Sequence, residues 1–241
     1  MNPPDPRPLS LLHTMTTSTD TLSVHAGPRD AALRPGFGPR VRRLHARIGA
    51  AHQQAEGMAF SRSLLDGQAK PRQLAGLLRA LQPGYAVLEQ DGPELGSALG
   101  ARDLPWSDLS RKAALQHDLA MLDGIEATPA SAAAAQWVSH LRTLAQQAPH
   151  RLMAHVYVRY GGDLSGGQQL GGQANAILER HGLPNLGFWA FERPTAELKV
   201  ELHEAFEQLE LSEAEEDELL EESVLAFQAT QRLLAELAEL C

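Results

Sequence analysis

Four glycines, Gly161, Gly162, Gly166 and Gly167, fall within seven residues of the segment Ala154-His155-Val156-Tyr157-Val158-Arg159-Tyr160-Gly161-Gly162-Asp163-Leu164-Ser165-Gly166-Gly167-Gln168. The flanks read as helix, and each glycine in a helix interior costs roughly 1 kcal/mol relative to alanine. Such a concentration points to backbone lying close to something flat and bulky, or to a kink. A tight helix crossing or a plain loop would also use these residues. A second feature is His52, which shares the apolar face of Ile48 and Ala55 and is predicted to point inward. An inward neutral imidazole can bind iron through one ring nitrogen while a partner holds the other. Glu56, at i+4, can reach that second nitrogen. A core histidine satisfied only by hydrogen bonds is the plainer alternative.

Other chemistries are excluded by what the chain lacks. Leu164-Ser165-Gly166-Gly167-Gln168 spells the LSGGQ signature of transporter ATPases, but no GxxxxGK[ST] loop accompanies it. None of the ten histidines follows a glutamate by three residues, which removes the di-iron carboxylate pattern, and HExxH is absent. The lone cysteine, Cys241, is the last residue, so no internal disulfide, CxxC pair or cysteine zinc site is expected. Lys plus Arg number 21 against 30 for Asp plus Glu, a net charge of −9. That balance argues against nucleic acid as a partner.

The elements that must position these residues are helical. Residues 1–38 are rich in Pro, Gly, Ser and Thr and read as a flexible tail, with Met15 a second candidate start. The remainder, 39–241, reads as one all-α domain of the size a single core can support. Apolar steps of three and four predict a helix from Val41 to about Leu65. A second helix is expected over Arg72–Glu89, bent or weakened at Pro83-Gly84. Gln90–Pro105 reads as turns with a short helical piece. Ser107 is expected to cap a helix to Leu122, and Thr128-Pro129 to open one to Gln147. Pro149 begins a long helical segment to Arg180, interrupted by glycines. Thr195 is a further candidate cap, and Ser212 with Glu215 forms a capping box. Only 186–191, LGFWAF, is ambiguous between strand and loop. Arg29, Arg34, Arg40, Arg42, Arg43 and Arg47 cluster at one end, either as a solvated face or as a dock for an acidic partner. No run is long and apolar enough to span a bilayer, and no signal peptide is evident, so the cytoplasm is the default location.

The segment AHVYVRYGGDLSGGQQL resembles the distal-helix signature of heme oxygenases nearly residue for residue. LHARIGAAHQQAEGMAF resembles their proximal helix, and Gly84-Tyr85-Ala86-Val87-Leu88-Glu89 the helix between. The order and spacing of the three pieces agree with that family across roughly 40–235. The resemblance implies an all-α domain that holds heme, at once substrate and cofactor, between two helices. It implies cleavage of heme by O2 and external electrons to biliverdin, CO and ferrous iron. His52 would be the axial ligand and Glu56 its orienting partner. Gly162 and Gly166 would bring backbone against the heme face. Asp163 would anchor a water network that delivers protons, held in place by Tyr85 and Arg159. Tyr157, Arg47 and Phe227 would complete the heme contacts, Tyr157 near a propionate.

The propionate positions depart from the family pattern. His45 and Gly49 stand where lysines are usual, and Lys199 and His203 do not fall cleanly on the other basic positions. Arg42, Arg43 or Arg47 are the candidate substitutes. The electron donor would be a ferredoxin or a flavin-dependent reductase, and a bacteriophytochrome could receive the biliverdin. The membrane anchor of animal members is not expected here. Two other classes remain: a heme carrier on the same scaffold, which would not need Asp163 and its glycines, and an all-α hydrolase, for which no core nucleophile is evident.

Overall fold

The structure, a computed structural model, describes residues 37–240. The expected tail therefore lies outside the described residues except for Phe37 and Gly38, as do Arg29, Arg34 and Cys241. Phe37 is buried, against His45 and His203.

Among the described residues ten helices follow in order: α1 (Pro39–Glu56), α2 (Ala59–Leu65), α3 (Pro71–Ala98), α4 (Trp106–Leu109), α5 (Lys112–Met121), α6 (Ala132–Gln147), α7 (Pro149–Asp163), α8 (Gly166–Arg180), α9 (Thr195–Glu207) and α10 (Glu213–Ala238). No strand occurs among the described residues, and LGFWAF is a loop. No helix among them is long and apolar enough to cross a membrane.

The predicted first helix is broken at Gly57-Met58, where Gly57 caps α1 and extended backbone at Met58 starts α2. The predicted second helix is longer than expected. α3 runs through Pro83 and Pro93 and takes in the first part, 90–98, of the stretch read as turns, and only the rest is loop. Two glycines explain why tertiary packing overrides the local signal. A Cβ on Gly84 would stand 2.0 Å from Trp137 Cζ3, and one on Gly92 would stand 2.4 Å from Trp106 Cη2. Two indoles press against bare backbone, and that buried apolar contact offsets the hydrogen bonds the prolines cannot donate. Ser107 sits inside the short α4, and α5 starts separately at Lys112. Ser131 rather than Thr128 caps α6, accepting from Ala134 N–H at 2.9 Å. α9 begins at Thr195 without a side-chain cap. The capping box at Ser212 and Glu215 is formed.

α10 backs the whole site, because both α1 and α7 pack along it. Arg40 and Arg43 reach Glu216 of α10 at 2.6 and 2.7 Å. Arg40 also donates to Phe206 O, and Arg42 to Phe37 O. Arg40 and Arg43 thus hold tertiary structure, and Arg42 is tied locally to the start of α1, rather than forming a free basic face. Deeper in, Glu222 is fully buried and closes the seam of α6, α7 and α10. His140 and His155 meet its Oε1 at 2.7 and 2.9 Å, and Arg151 donates twice to its Oε2.

Candidate heme site

On α1 the buried residues Val41, Leu44, Ile48 and Ala55 form one stripe. At about 100° per residue, His45, Gly49, His52 and Glu56 form the adjoining stripe. His52 is therefore not in the core. Its side chain is 52% exposed, at the margin of the apolar face, where the sequence pattern predicts it to point inward. Its Nδ1 lies 3.6 Å from Glu56 Oε1, beyond hydrogen-bond length but within reach of a small rotation. The Phe227 ring of α10 meets the imidazole edge-on at 5.7 Å. One turn further along α10, Gln231 donates to Ala51 O at 2.9 Å, clamping α1 beside the imidazole. Arg47 is five residues from His52, about 140° around the helix. It is exposed and does not share the stripe, so the structure does not bring it to the other site residues.

The second wall is the junction of α7 and α8. The helix breaks at Leu164-Ser165 and restarts at Gly166. Gly162 and Gly166 are exposed, and a Cβ on either would meet nothing within 4 Å. Gly49 on α1 is equally open. Gly167 and Gly171 serve a different purpose, since they admit Trp189, whose side chain a Cβ on Gly171 would approach to 2.7 Å. The glycine cluster therefore combines a kink, a tight packing contact and two open positions.

Beside the open glycines, Asp163 is buried and accepts a short hydrogen bond from the Tyr85 hydroxyl. Burial raises the Asp163 carboxyl from 3.8 to about 6, against the opposing pull of Arg159, the Tyr85 hydrogen bond and Arg111. Burial also raises Tyr85 well above its usual value, and the Asp163 charge adds to that. Tyr85, Asp163 and Arg159 are thus brought together as the sequence suggests.

Tyr157 belongs to another group. It is buried against Phe206, stacks on His203 at 5.9 Å and meets His45 at 6.1 Å. His203 is lowered to about 3, first by burial and then by Lys199 and His45. This end of the site is therefore lined by a neutral imidazole and phenol. The Tyr157 hydroxyl and Arg159 Nε are buried without a hydrogen-bond partner among the described residues. Buried polar atoms are normally satisfied, so both have capacity left for water or a bound group.

Sequence reasoning missed several residues that hold this geometry. Arg111 is buried, donates to Phe188 O and Ala190 O, and lies 3.9 Å over the Phe191 ring. Asp118 accepts from Gly187 N–H and Phe188 N–H. Gln168 bridges Asp163 O and Trp189 O. Together they strap the 186–191 loop onto the distal kink. No local pattern marks them, because their partners lie far off in the chain.

A metal centre elsewhere is not supported. His140, His155 and Glu222 bring their ligand atoms within 4.8 Å of one another. Trp137 Nε1, however, donates to His155 Nδ1 at 3.2 Å, which assigns the His155 proton to the nitrogen facing Glu222. Arg151 neutralises the same carboxylate.

The heme oxygenase family model matches residues 41–236. The chain belongs to the heme oxygenase family. It is 33% identical over 199 residues to heme oxygenase 1 of Pongo abelii, covering 78% of this chain and 68% of that protein. Against heme oxygenase 1 of Nostoc sp. the identity is 27% over 195 residues, covering 78% and 81%. Among solved structures, heme oxygenase-1 of Synechocystis sp. in complex with heme superposes with a TM-score of 0.74 at 27% identity, covering 80% of this chain and 90% of that one. The Leptospira interrogans heme oxygenase gives 0.72 at 29%, covering 80% and 97%. The protein is accordingly an oxidoreductase that binds and degrades heme, and the residues present fit that substrate. They offer an accessible imidazole, open backbone at two glycines and two orphaned polar atoms.

Proposed function

We propose that the enzyme opens heme to biliverdin, CO and ferrous iron, with the α1 stripe and the α7–α8 junction as the two walls of the site. The observation that carries the reading is the combination of a half-exposed His52 with Gly162 and Gly166, whose missing side chains leave open space next to a buried acid. Heme supplies the iron at which O2 is activated and the meso carbon that is oxidised.

The chain supplies position and protons. His52 would hold the iron through its free ring nitrogen, and Glu56, 3.6 Å from Nδ1, would orient the imidazole. Phe227 limits rotation of the imidazole from the α10 side. Gly162 and Gly166 leave open space that would admit the flat face of the macrocycle, and any larger residue there would fill that space. Asp163, titrating near 6, is ionised for most molecules at pH 7 yet readily protonated. It holds ordered water through its carboxylate, while Tyr85 and Arg159 keep that carboxylate in place. The orphaned Tyr157 hydroxyl would take a propionate, flanked by His45 and by a neutral His203 where the family places basic residues. The electrons come from a separate ferredoxin or flavin-dependent reductase, and a bacteriophytochrome is a fitting recipient of the biliverdin. The enzyme acts in the cytoplasm.

The test is His52→Ala loaded with hemin. The expected outcome is loss of the axial-imidazole spectrum with heme still held, and its return on adding free imidazole. An unaltered spectrum in the variant refutes the assignment of His52.

A further inference from the structure

The Tyr157 hydroxyl that a propionate is to reach is buried and has no hydrogen-bond partner among the described residues. Something must therefore move before a carboxylate can meet it. Around the Tyr157 ring stand Phe206 at 5.0 Å and His203 at 5.9 Å, both from α9, and His45 at 6.1 Å from α1. The two imidazoles in turn meet one further ring, that of Phe37, at 4.8 Å each. Phe37 is only 8% exposed, and it joins α1 to α9 across this end of the site.

These groups are not held equally. Tyr157, His203 and Phe206 lie within the hydrogen-bonded backbones of α7 and α9, and all three are buried. Phe37 precedes α1 and has no helical bonds. Among the described residues its backbone is tied through its carbonyl, which accepts from Arg42 Nη1 at 2.7 Å, and Arg42 is itself exposed. The residues that follow are fixed. The Glu207 carboxylate accepts from Arg40 N–H at 3.2 Å and from Val41 N–H at 2.7 Å, and a Cβ on Gly38 would stand 2.2 Å from Glu207 Cδ. α1 therefore starts from a pinned point, and Phe37 is the first residue on the far side of it.

We propose that Phe37 is a gate on the Tyr157 end of the heme site, closed over the two imidazoles in the heme-free protein and swung outward when a propionate takes the Tyr157 hydroxyl. Closed, the ring keeps apolar surface from water and leaves the phenol without an acceptor. Open, that burial is lost, but the hydroxyl gains a charge-assisted bond to a carboxylate. The hinge is the junction of Phe37 and Gly38, so α1 and His52 need not shift. A closed gate lowers the apparent affinity for heme by the fraction of molecules that are open. The inference rests on the reading of Tyr157 as a propionate partner.

The experiment places para-fluorophenylalanine at position 37 of the full-length protein and reads its fluorine resonance in water and in heavy water. The ligand is gallium protoporphyrin, which is diamagnetic and keeps both propionates. The resonance is expected to be insensitive to the solvent isotope without the porphyrin and to acquire the shift of an exposed ring with it. Phe37→Ala is expected to take up hemin at least about fivefold faster than the wild type, followed at the Soret band by stopped flow. A label that stays insensitive in the loaded protein, or an unchanged rate in a folded Phe37→Ala protein, overturns the gate. Tyr157→Phe tests the propionate reading apart from it: undiminished hemin affinity in that variant removes the partner role of Tyr157, whereas the position-37 label reports the gate whichever group the propionate meets.

Discussion

Replacing Asp163 by Asn tests whether the enzyme carries a costly acid for the sake of its chemistry. In the wild type burial moves this carboxyl from 3.8 to about 6. At about 1.4 kcal/mol per pH unit, the ionised form costs the folded protein about 3 kcal/mol at neutral pH. The sign follows from a folded value raised above the unfolded one. The stability is fully present below about pH 4 and is lost as pH rises through about 6. Roughly half of the loss falls below pH 5 and the rest between about 5 and 7. Asn cannot ionise, and its amide oxygen can still accept from the Tyr85 hydroxyl. The variant should therefore gain on the wild type as pH rises, by roughly 1–2 kcal/mol between pH 5 and 7.5. The assay is denaturant unfolding of the heme-free protein at both values, read as the difference between the two proteins so that other titrating groups cancel. The variant should at the same time lose heme turnover. A variant-minus-wild-type difference that does not change with pH refutes the buried, raised carboxyl. Full turnover refutes its role in proton delivery.

Gly162→Leu should leave the heme-free fold intact, because a Cβ there meets nothing within 4 Å, and alanine at this position would stabilise the helix by roughly 1 kcal/mol. It should block heme or O2 binding, seen as a lost or shifted Soret band; normal O2 binding would show that the open space is not the substrate's. Glu222→Ala leaves Arg151 facing a buried gap and should cost about 3–5 kcal/mol by thermal unfolding. Burial opposes ionisation of Glu222, but hydrogen bonds from His155, His140 and Arg151 outweigh it and hold the carboxyl at about 2, so its stabilisation should persist down to about pH 4 and then be lost as pH falls through 2.

Much of the fold and site is written locally. The capping box at Ser212 and Glu215 forms as its spacing dictates, because both partners lie within one helical turn. The break between α7 and α8 follows from the glycines, and the proximity of Tyr85, Arg159 and Asp163 agrees with the motif. The stretch after Glu89 misled where a side chain beyond the helix bore on the outcome. α3 continues through Pro93, where Trp106 packs against the bare backbone of Gly92, and that tryptophan lies outside the helix. His52 misled for a related reason. Helical periodicity places it beside the apolar stripe, but whether that margin is core or open surface depends on what packs against it.

The amino-acid order alone therefore determined the helical class, the imidazole, the glycines and the acid, since these are properties of residue type and of spacing within a turn or two. Tertiary structure decided which glycines face open space and which face Trp189, which arginines are tied to Glu216, that Asp163 is buried, and that Phe37 lies against His45 and His203. The physical reason is that burial and cross-helix hydrogen bonds are set by partners more than a hundred residues away in some cases, and those partners exert no influence until the helices are packed.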